Sequence, residues 1–174
     1  MKILVFSDSH GETRWMEKAI REHPDAERIF FLGDGFSDIC AMERKFPALP
    51  FDIVAGNCDG SLTSASLEGD APFEKLVDVG GFRFLLTHGH RYAIKSSYQA
   101  AADQAIAWEA DVLLFGHTHQ AEDVTIDGSA GGSVRIINPG SVGARFGASY
   151  ACLELRGGNL LCGFAECDRK NRRL

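Results

Sequence analysis

Short runs of β-branched and large apolar residues alternate with segments of helical period along the first two thirds of the chain: KILVFS, TRWMEKAIREH, RIFFLG, SDICAMERKF, FDIVAG. This order predicts a βαβαβ start. The strand runs are almost continuously apolar instead of alternating, the signature of parallel strands covered on both faces. Trp15, Met16, Ala19 and Ile20 recur at helical spacing and are assigned to packing. FEKLVDVGGFRFLLTHG then reads as two strands turning at Gly80-Gly81, and the alanine-rich, breaker-free stretch from Ile94 to Glu109 as a helix that leads into the strand DVLLFG. From Ala121 onward the pattern changes to hairpins, AEDVTI with SVRIIN through DGSAGG, and YACLEL with LLCGFAEC through RGGN.

No long Pro- or Ser-rich linker and no internal repeat interrupts this order, so residues 1–174 are read as one α/β domain. Its C-terminal strands are expected to complete two sheets packed together, with helices outside. A chain of 174 residues buries roughly 70% of its unfolded surface, enough for a sizeable core. At 45% hydrophobic and 24% charged residues, the composition is that of a globular protein with no stretch long and apolar enough to span a bilayer. The first apolar run is too brief for a signal-peptide core, which predicts a cytoplasmic protein. Five cysteines without a C-x-x-C pair suggest reduced thiols. A net charge of −6 argues against a general nucleic-acid binder, and the basic tail DRKNRRL is read as a solvated terminus. A homo-oligomer is compatible with the sequence, which carries no signal of oligomeric state.

The polar residues cluster at strand ends. SDSHG with Asp8 and His10 follows the first strand, GD with Asp34 the second, and GNCD with Asn57 the third; THGH with His88 and His90, then GHTH with His117 and His119, follow two later ones. In an open α/β sheet the loops leaving the carboxyl ends of strands share one edge, where ligands bind. Taken singly, each pair fits a turn or a solvated loop. Together they form a set of oxygen and nitrogen donors suited to divalent manganese, iron, zinc, nickel or magnesium. Gly11, Gly33, Gly56, Gly89 and Gly116 beside them fit tight turns and close backbone approach. His23, before Pro24, belongs to no such motif and is read as a surface residue.

The ordered motifs D-x-H, GD, GN, H and GHTH resemble the calcineurin-like metallophosphoesterase superfamily, and SDSHG through NPGS looks most like its small single-domain phosphodiesterases. The resemblance spans residues 3 to about 145. It implies a four-layer α/β/β/α sandwich of two mixed sheets flanked by helices, and a dinuclear metal centre. Carried over position by position, Asp8, His10, Asp34 and His119 would hold one ion; Asp34, Asn57, His88 and His117 would hold the other, with Asp34 bridging. Manganese is the first expectation for both ions, with nickel, iron, zinc and magnesium as alternatives. Two such ions would generate a metal-bound hydroxide that attacks phosphorus in line.

The implied activity is hydrolysis of a small phosphate ester, most of all a phosphodiester. Asn57 can offer its NH₂ to a phosphoryl oxygen, and His90 either offers a proton or a hydrogen bond to the phosphate or is a structural histidine behind the ligands. One departure bears on substrate choice. Many superfamily members read GNH[DE], whereas here Cys58 stands at the histidine position. A thiol is a poor proton donor for a leaving group, so alkyl monoesters are disfavoured, and Cys58 is read as a small packed residue. Arg14, Arg91, Lys95 and Arg145 lie near motif ends, where they could clamp a second phosphate, although solvated charge is the simpler account of each. NPGS, residues 138 to 141, either turns the chain or places backbone N–H groups or Ser141 near the site. Two rival readings stand beside the phosphodiesterase. One is a non-catalytic, protein-binding scaffold subunit on the same fold, against which the presence of His10 and His117 argues; the other is a metallohydrolase acting on a carbonyl.

Overall fold

In the computed structural model, which describes residues 1–59, 71–145 and 147–167, ten strands form two five-stranded mixed sheets. In the first, the order is β10 (Asn159–Glu166), β9 (Ser149–Arg156), β1 (Lys2–Phe6), β2 (Arg28–Phe31), β3 (Phe51–Ile53). In the second it is β4 (Glu74–Val79), β5 (Phe82–Thr87), β6 (Val112–Leu114), β8 (Ser133–Pro139), β7 (Ala121–Asp127). β1, β2 and β3 are mutually parallel, as are β5, β6 and β8; β9, β10, β4 and β7 run antiparallel to their neighbours.

Alternate residues of the central strands enter different layers, which explains their unbroken apolarity. Ile3 and Val5 face the second sheet, while Leu4 and Phe6 face helices α1 (Arg14–Glu22) and α2 (Phe36–Lys45). Phe84 and Leu86 meet the inter-sheet core, and Leu85 meets helix α3 (Gln99–Ala107). Phe30 and Phe84 pack across the sheets with ring centroids 5.5 Å apart. Ala101, Ala102 and Ala105, fully buried, let α3 sit close on its sheet. Three apolar layers between four structural layers follow, the expected α/β/β/α sandwich. The two C-terminal hairpins separate: β7–β8 extends the second sheet and β9–β10 the first.

Three expectations are corrected. The helix over 94–109 is shorter, because Ala93 is left-handed, Ser96 and Ser97 turn back to the Ala93 carbonyl, and the Ser97 hydroxyl accepts from Gln99 N–H. Glu109, also left-handed, ends it. His23 is half-buried, its Nε2 3.0 Å from the Tyr150 hydroxyl. Cys58 is exposed and not packed. Most of the Ser/Gly/Asp-rich stretch 59–72 and the tail DRKNRRL lie outside the described residues. Among the described residues, no helix is long and apolar enough to cross a membrane.

Candidate metal centre

The parallel strands bring their carboxyl ends to one edge, and the backbone there takes an uncommon form. Asp8, His10, Asp34, His117 and His119 all have left-handed φ, between 46° and 67°. Only Ala93 and Glu109 share this among the other described non-glycine residues. Such a conformation costs on the order of 1 kcal/mol per residue and persists where surrounding bonds over-determine it. Here they do: Asp8 N–H donates to the Gly33 carbonyl at 2.9 Å and His10 N–H to the Asp34 carbonyl at 3.1 Å. Glycine is required where chains touch. A Cβ on Gly56 would stand 2.1 Å from Asp34 Oδ1, and one on Gly116 1.9 Å from Ser7 Oγ.

The side chains converge in two groups. In the first, Asp8 Oδ1 lies 3.1 Å from His119 Nε2 and 3.7 Å from His10 Nε2, and the two imidazole nitrogens are 3.4 Å apart. In the second, Asp34 Oδ2 lies 3.4 Å from His88 Nε2, which is 3.2 Å from Asn57 Oδ1, and His117 joins Asp34 and His88 with donor atoms within 4.8 Å of one another. Asp34 also groups with His10 and Cys58, so it borders both clusters. His90 belongs to neither group; its ring stands beside the second, 5.4 Å from His88 and 6.2 Å from His117 between centroids.

These donors fit divalent cations. Asp8 is fully buried, and its Oδ1 has no hydrogen-bond partner although three histidine nitrogens surround it within 3.9 Å. A buried carboxylate oxygen left so is costly unless a cation completes it. His88 Nδ1 lies 2.7 Å from the Leu32 carbonyl, which can only accept, so in the neutral ring Nδ1 carries the hydrogen and Nε2 presents a lone pair to the centre.

Supporting contacts hold the loops. Asp59, 2% exposed, accepts four backbone N–H bonds, from Asp34 and Gly56 at 2.8 Å, Gly35 at 2.9 Å and Phe36 at 3.0 Å. It locks the GD loop to the GNCD loop at the start of α2. Asn138, fully buried, donates to the Gly116 carbonyl and the Thr118 hydroxyl at 2.9 Å each, and accepts from Gly140 N–H. Ser141 donates to the Asp8 carbonyl at 2.8 Å. NPGS is therefore a brace for the GHTH and SDSHG loops. Sequence reading missed Asp59 and Asn138 as site-forming residues, although both stand inside motifs it quoted.

Burial disfavours the Asp34 carboxylate, yet bonds from His88 and the Cys58 backbone outweigh it and hold Asp34 well below the usual carboxylate range. Burial also disfavours a charged His88, and Asp34 and Asp8 reverse this. Desolvation and the neighbouring His88 and Lys95 push His117 down to about 4, so its ring is neutral and available as a ligand at pH 7. Desolvation likewise lowers His90. The Cys58 thiol, hydrogen-bonded to Asp34, is pushed up to about 11.

The chain is 35% identical over 159 residues to the probable metallophosphoesterase YsnB of Bacillus subtilis, covering 89% of this chain and 85% of that one. A crystal structure of a predicted phosphoesterase from Streptococcus pneumoniae superposes with TM-score 0.73 at 25% identity, covering 96% of this chain and 90% of that one. Vps29 of Entamoeba histolytica shares the fold, with TM-score 0.68 at 20% identity over 95% and 99% of the two chains. The family model of the calcineurin-like phosphoesterase superfamily domain matches residues 1–158, and with it the metallophosphoesterase relative shows that this chain belongs to the calcineurin-like phosphoesterase superfamily.

Proposed function

We propose that this metallophosphoesterase-family protein is a phosphodiesterase working through a dinuclear centre, with Asp34 between the two sites. The observation that carries the reading is the pair of donor groups meeting at Asp34. Asp8, His10, Asp34 and His119 would hold one ion and Asp34, Asn57, His88 and His117 the other, manganese foremost, with nickel, iron, zinc or magnesium as alternatives. Such ions would supply a nucleophilic water of pKa lowered towards ~7 and positive charge for the phosphoryl oxygens.

The chain's own residues supply the rest. Asn57 Oδ1 lies 3.2 Å from His88 Nε2, on the side of the second donor group, and one N–H of its NH₂ donates to Cys58 Sγ, which leaves the other to donate to a phosphoryl oxygen. His90, beside both His88 and His117, is placed to hydrogen-bond the phosphate. Asp59 and Asn138 keep the loops fixed while charge shifts on the substrate.

Two measurements test this. Metal analysis after reconstitution should find two ions per chain, both lowered in occupancy by Asp34→Ala; one ion at saturation would sink the dinuclear centre. Turnover of aryl diesters should exceed that of alkyl monoesters, because a good leaving group needs little protonation and a thiol pushed up to about 11 is a weak acid that gives little. Cys58→His should narrow that gap. Faster hydrolysis of unactivated monoesters by the parent would show that another group, His90 foremost, protonates the leaving oxygen.

A further inference from the structure

Next to the metal centre lies a cationic rim that the hydrolytic reading leaves unused. His90, Arg91 and Tyr92 form a single 3-10 turn after β5. The turn is fastened at both ends: the Tyr92 hydroxyl donates to Glu74 Oε1 at 2.8 Å, and buried Ile94 packs against Gly89, where a Cβ would come within 3.0 Å of it. Phe73, just before β4, is 40% exposed despite its size. Its ring meets the His90 ring edge-on at 5.8 Å, and the Arg91 guanidinium lies 4.8 Å from its centroid. A row of contacts therefore leads from the ligand histidines through His90 and Phe73 to Arg91.

Arg91 is exposed, and among the described residues no carboxylate lies within 4 Å of it. This sets it apart from Arg14, Arg21, Arg28, Arg83 and Arg135, each paired with an acid. Exposed Lys95, on the same segment, has no carboxylate within 4 Å among the described residues either. A guanidinium held by an aromatic face has lost part of its rotamer freedom while its donors stay open, which suits bidentate capture of a phosphate.

We propose that Arg91, positioned by Phe73, is a specificity residue that binds a second anionic group, a terminal phosphate, on the half of the substrate that stays attached to the scissile phosphorus. The proposal rests on the phosphodiesterase reading and names the substrate class: phosphodiesters that carry a further phosphate beyond the scissile one. Phe73 acts through Arg91 as a positioning residue.

The test uses the metal-reconstituted full chain and two chromogenic diesters, bis(4-nitrophenyl) phosphate and a 4-nitrophenyl diester whose other arm is 3-phosphopropyl. The parent should prefer the phosphate-bearing diester in kcat/KM. Arg91→Ala should lower the ratio of the two kcat/KM values by about tenfold, the scale of one charge-assisted hydrogen bond, chiefly through KM; Arg91→Lys should restore part of it. Phe73→Ala should lower the same ratio less, and Phe73→Tyr should restore it. An equal loss on both substrates, or an unchanged ratio in Arg91→Ala, overturns the subsite while leaving the phosphodiesterase reading standing. A Phe73→Ala variant that keeps the parent's ratio overturns the positioning role. A parent inert towards bis(4-nitrophenyl) phosphate with every metal tried overturns the phosphodiesterase reading and the subsite with it.

Discussion

Asp34→Asn is expected to lower kcat for an aryl phosphodiester by on the order of 10³ while the variant stays folded, because the substitution removes the one carboxylate that borders both donor groups. The fold should survive for a local reason. The loop is held by main-chain bonds, with Asp34 N–H donating to Asp59 and its carbonyl accepting from His10, and neither involves the Asp34 side chain. Without metal, stability is expected to fall modestly, since the ionised carboxylate is held by His88 and the Cys58 N–H and only the second of these partners is kept by the amide oxygen of Asn. His117→Ala should behave alike, since it withdraws a ligand from the second group. Steady-state kinetics with thermal unfolding of apo and metal-loaded protein checks both. A variant fully active after chelation and remetallation would remove Asp34 and His117 from the centre, and a parent inert with every diester and metal tried would end the catalytic reading.

Asp59→Ala is expected to do the reverse and damage fold and site together. Four buried N–H groups would lose their acceptor at once. At about 1 kcal/mol or more for each stranded donor, the loss is on the order of 3–5 kcal/mol, or roughly 10 °C in Tm for a chain of this size. Gly33 and Gly56, whose backbones touch, are held together by these bonds, so metal affinity should fall as well. Asp59→Asn should recover little, because its NH₂ turns one set of donors against another donor. Calorimetry and metal titration check this; an Asp59→Ala protein with the parent's Tm would show that the carboxylate is dispensable and that water satisfies the loop.

Much of the candidate site was legible because its donors sit in short motifs directly after strands, and a parallel strand must end at the sheet edge where its neighbours end. The groups that aim those donors were harder to see. Asp59 and Asn138 carry no spacing signal, since each bonds backbone atoms that lie far away in sequence. The left-handed backbone at Asp8, His10, Asp34, His117 and His119 was equally hidden, because none of these residue types demands it. The length of α3 depended on where Ser96 and Ser97 turned, a local contest that alanine content does not reveal.

Apolar periodicity and turn residues determined by themselves that the chain builds parallel strands with helices outside and carries a run of Asp, Asn and His side chains, of types able to ligate a metal, at strand ends. These are properties of residue type and order, and they survive whatever the partners are. Only the tertiary structure decided that the last two hairpins go to different sheets, that Asp34 borders both donor groups, that Cys58 faces solvent, and that Arg91 rests on Phe73 without an acidic partner among the described residues. Each of these depends on which surfaces meet between segments distant in sequence, and that is set by packing of the whole core and not by any local pattern.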